Sequence, residues 1–292
     1  MYLKISFLLC FLLYSVNSFS QETGNFIYEK VSGNVYCIYG QGGNIGALST
    51  DDGILVVDSQ FENVADSVLN VIKSISSHKI KYLINTHYHA DHTSGNKILG
   101  ENAEIIMHPS CKSTKQKLNE LAEVKEKYLN RVSLWTEGMI INLGDESIQL
   151  LHLGNAHTSG DLIVVFENAK VIHTGDLFFH GLPPYIDVEN GSDTENWIRT
   201  VNTICERYPD YKIIPGHGKI TDVKSYYDFG NYLKTLREKV ITAIKAGLTR
   251  EETVNSIKIE EYSHLNDPGK SEWLSIENNI GWVYDEIVKQ EQ

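Results

Sequence analysis

Four side chains able to bind a metal, His87, His89, Asp91 and His92, fall within six residues, directly after the apolar run Ile80-Lys81-Tyr82-Leu83-Ile84. The run reads as a short buried strand, so the cluster stands where a strand gives way to a loop. That placement decides the geometry. On a helix, positions i and i+2 point about 200° apart, whereas on extended or irregular backbone they can face one point. His87 and His89 therefore converge only off a helix, and four ligands in so short a span suit two ions better than one. Neighbours such as Asp91 and His92 are expected to point apart, toward separate centres. A single histidine beside a strand is usually a core or surface residue. In a chain of 292 residues with 11 histidines, a run this dense points instead to metal.

The run resembles the His-x-His-x-Asp-His signature of the metallo-β-lactamase superfamily, and further matches follow in order. They are His157 in Gly154-Asn155-Ala156-His157-Thr158-Ser159-Gly160-Asp161, Asp176 in Thr174-Gly175-Asp176-Leu177, and His217 in Pro215-Gly216-His217-Gly218. Each sits beside a short apolar run, and Asp176 is expected at the end of its strand. The resemblance spans residues 28–220. It implies that His87, His89 and His157 hold one ion and that Asp91, His92 and His217 hold a second, with Asp176 between them. Asp58 matches an aspartate that supports the site from behind, with surface capping as the alternative.

Imidazole and carboxylate ligands without thiolate suit two zinc ions, and they also accept iron or manganese. By the same resemblance Asp91 and Asp176 are catalytic, and a hydroxide shared by the ions is the nucleophile. No Gly-x-Ser-x-Gly elbow or reactive-cysteine signature competes with this chemistry.

Superfamily membership leaves the substrate open, and the departures from its best-known members are informative. In the familiar β-lactamases a cysteine often stands at the bridging position, and a lysine three residues on binds the drug's carboxylate. Here those places hold Asp176 and Phe179. The full aspartate set is similar to the lactonase and thioesterase branches, although lactonases acting on acyl-homoserine lactones tend to carry tyrosine where Phe179 stands. The expectation is zinc-dependent opening of a lactone, N-acyl homoserine lactones included. β-Lactam or thioester hydrolysis is the alternative, and iron-dependent redox chemistry stands behind both. The segment after Asp176 offers Phe179, His180 and Tyr185 as substrate contacts, Tyr185 as an oxyanion donor. A core or surface role is open to each.

The implied fold is α+β, a four-layered αβ/βα sandwich with metals at one edge. The residue patterns agree, with strand periodicity at 35–39, 45–48, 54–58, 103–107, 148–151, 162–166, 170–172 and 212–214. Helical spacing appears at 61–75 and 194–208, and a polar, lysine-rich helix is expected at 109–131. Glycines 40, 42 and 43 lack the dinucleotide fingerprint and read as a hairpin turn or flap. From about residue 222 the chain turns helical, at 223–246, 250–257 and 273–288, with Thr249 placed to cap. No linker separates these helices, so residues 21–292 read as one domain.

The first twenty residues read as a secretory leader, with Lys4, an apolar stretch at 5–16 and Ser18-Phe19-Ser20 before an expected cleavage site. The chain is expected to be exported, to the periplasm or beyond, without a stable membrane anchor. A net charge of −12 and the lack of Lys/Arg clusters argue against nucleic acid. The expected partner is a small-molecule substrate; the sequence carries no signal for an oligomeric state. Cys37, Cys111 and Cys205 remain after cleavage, too few and too scattered for a disulfide framework.

Overall fold

The computed structural model describes residues 20–23, 26–111, 132–134, 138–265 and 273–291. The expected leader, apart from Ser20, and most of the expected lysine-rich helix lie outside the described residues. The first sheet has eight strands in chain order: β1 (Ser20–Thr23), β2 (Phe26–Ser32), β3 (Val35–Tyr39), β4 (Ile45–Thr50), β5 (Gly53–Val57), β6 (Ile80–Ile84), β7 (Glu104–Met107) and β8 (Val132–Leu134). It is antiparallel as far as β5 and parallel from β5 to β8. The second sheet has the order β14-β13-β12-β11-β10-β9. Its strands are β9 (Met139–Leu143), β10 (Glu146–Leu151), β11 (Ile163–Phe166), β12 (Val171–Phe179), β13 (Lys212–His217) and β14 (Thr221–Asp222).

Alternation along the strands builds the layers. In β5, Leu55 and Val57 join Val164, Phe166 and Ile214 in the core between the sheets. Ile54 and Val56 face the opposite way, into a core with α1 (Ala65–Ile75). In β11, Ile163 and Val165 pack outward against α4 (Thr194–Arg207), α5 (Val223–Lys245) and α7 (Ile276–Gln290). Strands buried on both faces need apolar residues at every position. This explains the unbroken runs at β5 and β11, each side chain contributing about 1.5–3 kcal/mol. The four-layered αβ/βα sandwich is thus the observed fold. Among the described residues the remaining α-helices are the one-turn α2 (Ala90–Thr93) and α3 (Asn96–Leu99), and α6 (Arg250–Ser256), whose start carries the expected Thr249 capping box with Glu252.

Strands β1, β2, β8, β9 and β14 are not among those expected from the sequence; of these, β9 pairs with β10 across a turn at Gly144, where φ is +61°. Strand β12, expected at 170–172, runs to Phe179, so Asp176 lies within a strand and not at its end. The cause is Gly175, whose φ of +53° breaks the register with β13 and lets Leu177, Phe178 and Phe179 rejoin the core.

Candidate metal centre

Strand β6 delivers the chain into the turn 85–89, and His89, in extended conformation, starts α2. The turn is locked from beneath: Asn85 Nδ2 donates to the His92 carbonyl, and Asn96 Nδ2 to Asn85 Oδ1 at 2.6 Å. His87 and His89 converge off a helix as expected, with His87 Nε2 2.9 Å from His89 Nδ1. His157 Nε2 lies 3.1 Å from the same His89 Nδ1.

Asp91 and His92 do not point apart. They share one turn of helix, and His92 Nε2 lies 3.4 Å from Asp91 Oδ2. His217 Nε2, at the end of β13, lies 3.3 Å from that same oxygen. Neighbours on a helix are only about 100° apart, so a carboxylate and a longer imidazole can still reach one point.

Asp176 stands between the groups. Its Oδ2 lies 3.7 Å from His87 Nε2 and 3.5 Å from His157 Nε2. Its Oδ1 lies 3.0 Å from His92 Nε2 and 3.4 Å from His217 Nε2. The approach is tight enough to need glycine: a Cβ on Gly216 would fall 2.1 Å from Asp176 Oδ1, and one on Gly175 2.5 Å from the Thr86 side chain.

The donor set fits a pair of small divalent cations. Four N or O atoms about 2.0–2.1 Å from one ion sit about 3.3 Å apart in a tetrahedron, the scale of the distances in both groups. His92 Nε2 and Asp176 Oδ1 are buried without a hydrogen-bond partner, a costly state that a cation would relieve. His87, His89, His157 and Asp176 thus form one group able to hold an ion, and Asp91, His92 and His217 another.

Second partners select the lone pair that each imidazole offers. His92 Nδ1 donates to Asp58 Oδ2 at 2.7 Å, His157 Nδ1 to the Tyr185 carbonyl at 2.9 Å, and His89 Nε2 to Asp187 Oδ2 at 3.0 Å. Thr86 Oγ1 gives its proton to Asp58 and so accepts from His87 Nδ1 at 3.1 Å. Each bond leaves the other ring nitrogen free for a cation.

Burial pushes the pKa of His87 well down and that of His157 to about 4, which keeps both neutral, as ligation requires. In the second group burial works in the same direction but is outweighed. Asp176 and Asp91 raise His217 to about 9 and lift His92 well above its usual value. The same imidazoles overcome the burial of Asp176 and hold its carboxyl well below the normal range. The carboxylates of the second group thus favour positive charge at this point, the electrostatic condition for holding a cation.

Only part of the site is open. Side-chain exposure is 17% for His89, 22% for Asp91 and 24% for His217, against 0% for His87, His92 and His157. The glycine turn after β3 covers the second group, with Gly43 N donating to the Asp91 carbonyl, and a Cβ on Gly43 would strike the His92 ring at 2.2 Å. Its glycines are needed for close packing, which favours the turn reading over a flap.

Phe179, expected to meet substrate, is 2% exposed and stacks on His217 with ring centres 5.0 Å apart. The extension of β12 buries it, so it backs the ligands instead. His180 is turned away too: its Nδ1 donates to the Lys219 carbonyl, and it lines a cavity with Tyr227, Tyr262 and His264 that none of the seven ligand candidates lines. Tyr185 does border the site, its ring 5.6 Å from that of His89.

Sequence reasoning missed Asp187, Tyr88, Trp273 and Trp282. Tyr88 shares Asp187 Oδ2 with His89. Trp273 and Trp282 pack on Tyr185 at 4.6 and 5.2 Å and extend an aromatic wall from His89 outward. A proline-rich turn before Asp187 is its one local signal, and nothing in it names a partner 98 positions away.

Comparison with known proteins follows the same lines. The family model described as the metallo-beta-lactamase superfamily matches residues 38–217. The chain is 23% identical over 231 residues to a metallo-beta-lactamase type 2 from Elizabethkingia meningoseptica, covering 74% of this chain and 88% of that protein. It is 28% identical over 153 residues to the hydroxyacylglutathione hydrolase GloC of Haemophilus influenzae, covering 49% and 71%. Among solved structures, the inverting sec-alkylsulfatase Pisa1 from Pseudomonas sp. aligns with a TM-score of 0.70 at 14% identity, over 88% of this chain and 49% of that one. The chain thus spans about half the length of the alkylsulfatase. A metallo-beta-lactamase from Pontibacter korlensis aligns at 0.57 and 15% identity, over 75% and 99%. At such identities the solved structures speak for the fold. The family match covers more than half of the 292 residues and includes all seven ligand candidates, and the chain belongs to the metallo-beta-lactamase superfamily.

Proposed function

We propose that this superfamily hydrolase binds two zinc ions, one per group, and opens a neutral cyclic ester, a lactone of the N-acyl homoserine type among them. The observation that carries the reading is the split carboxylate of Asp176, one oxygen toward each group. Two dications about 3.5–4 Å apart repel unless an anion lies between them, and Asp176 is placed to be that anion. When bound, the ions would act as Lewis acids and lower the pKa of water to about 7.

The chain's own residues supply the rest. Asp91, partly open and held ionised by His92 and His217, directs one carboxylate oxygen at both imidazoles and leaves the other to orient the attacking water. Tyr185 borders the same opening, and its hydroxyl, 3.4 Å from Asp187, turns toward a carbonyl oxygen as negative charge develops there.

The lactone preference rests on the wall beside His89, where Tyr185, Trp273 and Trp282 offer an aromatic surface suited to an acyl chain. β-Lactam hydrolysis is the second reading, favoured by the extent of the match to the Elizabethkingia enzyme, and thioester hydrolysis is supported by the hydroxyacylglutathione hydrolase. Export to the periplasm or beyond is part of the proposal and stands on the leader pattern. No helix among the described residues is long and apolar enough to cross a membrane.

A turnover panel on zinc-loaded protein tests the choice, with a short and a long acyl-homoserine lactone, a thioester and a chromogenic β-lactam. Lactone opening well above the other rates is expected; β-lactam cleavage with inert lactones would overturn the lactone reading.

A further inference from the structure

Helix α7 lies beyond the residues matched by the family model. Its buried positions other than Gly281, namely Ile276, Asn279, Ile280, Val283, Glu286 and Ile287, follow helical spacing and form one face. Two of them are polar. Asn279 and Glu286 sit seven residues apart, two turns along the face, and are 0% and 2% exposed. Polar groups this deep are costly unless their partners are fixed, so their partners carry information.

Both reach the same segment. Asn279 Nδ2 donates to the Pro184 carbonyl at 2.7 Å. Glu286 accepts from Ser192 Oγ at 3.1 Å and from Thr194 N and Oγ1 at 3.0 and 2.6 Å. A third anchor, Lys289 Nζ, donates to the Val188 carbonyl at 3.0 Å. Between the outer anchors lie the Tyr185 carbonyl, which accepts from His157, and Asp187, which accepts from His89. The second group draws its orienting partner from the other sheet, where Asp58 follows β5.

We propose that α7 positions the 184–194 segment and thereby sets the zinc affinity of the His87–His89–His157 group, leaving the Asp91–His92–His217 group unaffected. The proposal rests on the reading that the two groups each take an ion. Asn279, Glu286 and Lys289 are positioning residues that act through Tyr185 and Asp187. Disturbing the outer partners of metal-bound histidines lowers metal affinity 10–100-fold as a rule.

The test is zinc competition against a chromophoric chelator, with His217→Ala as the background that reports the first group and His89→Ala as the one that reports the second. Adding Glu286→Gln should weaken zinc binding about tenfold in the His217→Ala background and less than about twofold in the His89→Ala background. Lys289 is exposed, so Lys289→Met leaves the core intact and carries the test if Glu286→Gln does not fold. It should lower affinity about threefold, the weight of one hydrogen bond, again only where the first group is reported. Unchanged affinity in both backgrounds, or an equal loss in both, would overturn the proposal. If the unmodified protein holds fewer than two zinc ions, the two-ion reading itself fails, a result distinct from the failure of this inference.

Discussion

Asp58 accepts the Nδ1 proton of His92 at 2.7 Å, with both side chains fully buried and 34 positions apart in the chain. Asp58 also takes the backbone N–H and the hydroxyl of Thr86, so one carboxylate fixes the turn and the imidazole together. Asp58→Ala should weaken zinc binding at the second group 10–100-fold. Asp58→Asn should cost less, because asparagine tolerates the φ of +66° at this position. Chelator competition reads both, and equal affinity in the alanine variant would contradict the role given to Asp58.

Gly175 should not accept a side chain. Its φ is +53°, and a Cβ would lie 2.5 Å from that of Thr86. Gly175→Ala is expected to cost about 1–3 kcal/mol and to displace Asp176, the next residue. A lowered melting temperature together with loss of one zinc is the predicted outcome. A stable variant with both ions would show that Asp176 does not depend on this turn.

His108 should make stability fall in acid. Burial, with the His152 ring stacked at 3.7 Å, lowers its pKa to about 4. An unfolded histidine titrates near 6.5. Between about pH 4 and 6.5 the unfolded chain therefore takes up a proton that the folded one refuses, so stability is present above this window and is lost as pH falls through it. Protonation of Nδ1 would also end its acceptance of the Ser110 N–H. From pH 6.5 to 4.5 the melting temperature of the wild type should drop more steeply than that of His108→Gln; parallel curves would contradict the assignment.

Trp273 is 55% exposed and joins the aromatic wall that begins at His89. Trp273→Ala should raise KM for a long-chain lactone several-fold while shifting stability by less than about 0.5 kcal/mol, the norm for an exposed position. If KM for long and short acyl chains is unchanged, substrate does not use the wall.

The two histidines after β6 are legible in sequence because a five-residue apolar run ends immediately before them and no helix could make them converge. The run through Asp176 is harder to read. Thr174-Gly175-Asp176 has the look of a strand end, and only the positive φ of Gly175 shows how the strand resumes and buries Phe179. Helical spacing marks the buried face of α7, yet spacing cannot say that Asn279 and Glu286 reach 95 and 92 positions back to Pro184 and Thr194. The partners of Asp187 and the tryptophans are hidden for the same reason. Their roles come from long-range contacts that no local pattern encodes.

The split carboxylate of Asp176 is tested most directly by a crystal structure of the zinc-loaded protein with anomalous maps at the zinc edge. Two peaks about 3.5–4 Å apart, with Oδ2 of Asp176 on the His87–His89–His157 ion and Oδ1 on the other, are the predicted result. A single peak, or two ions with Asp176 bound to only one, would contradict the two-ion account.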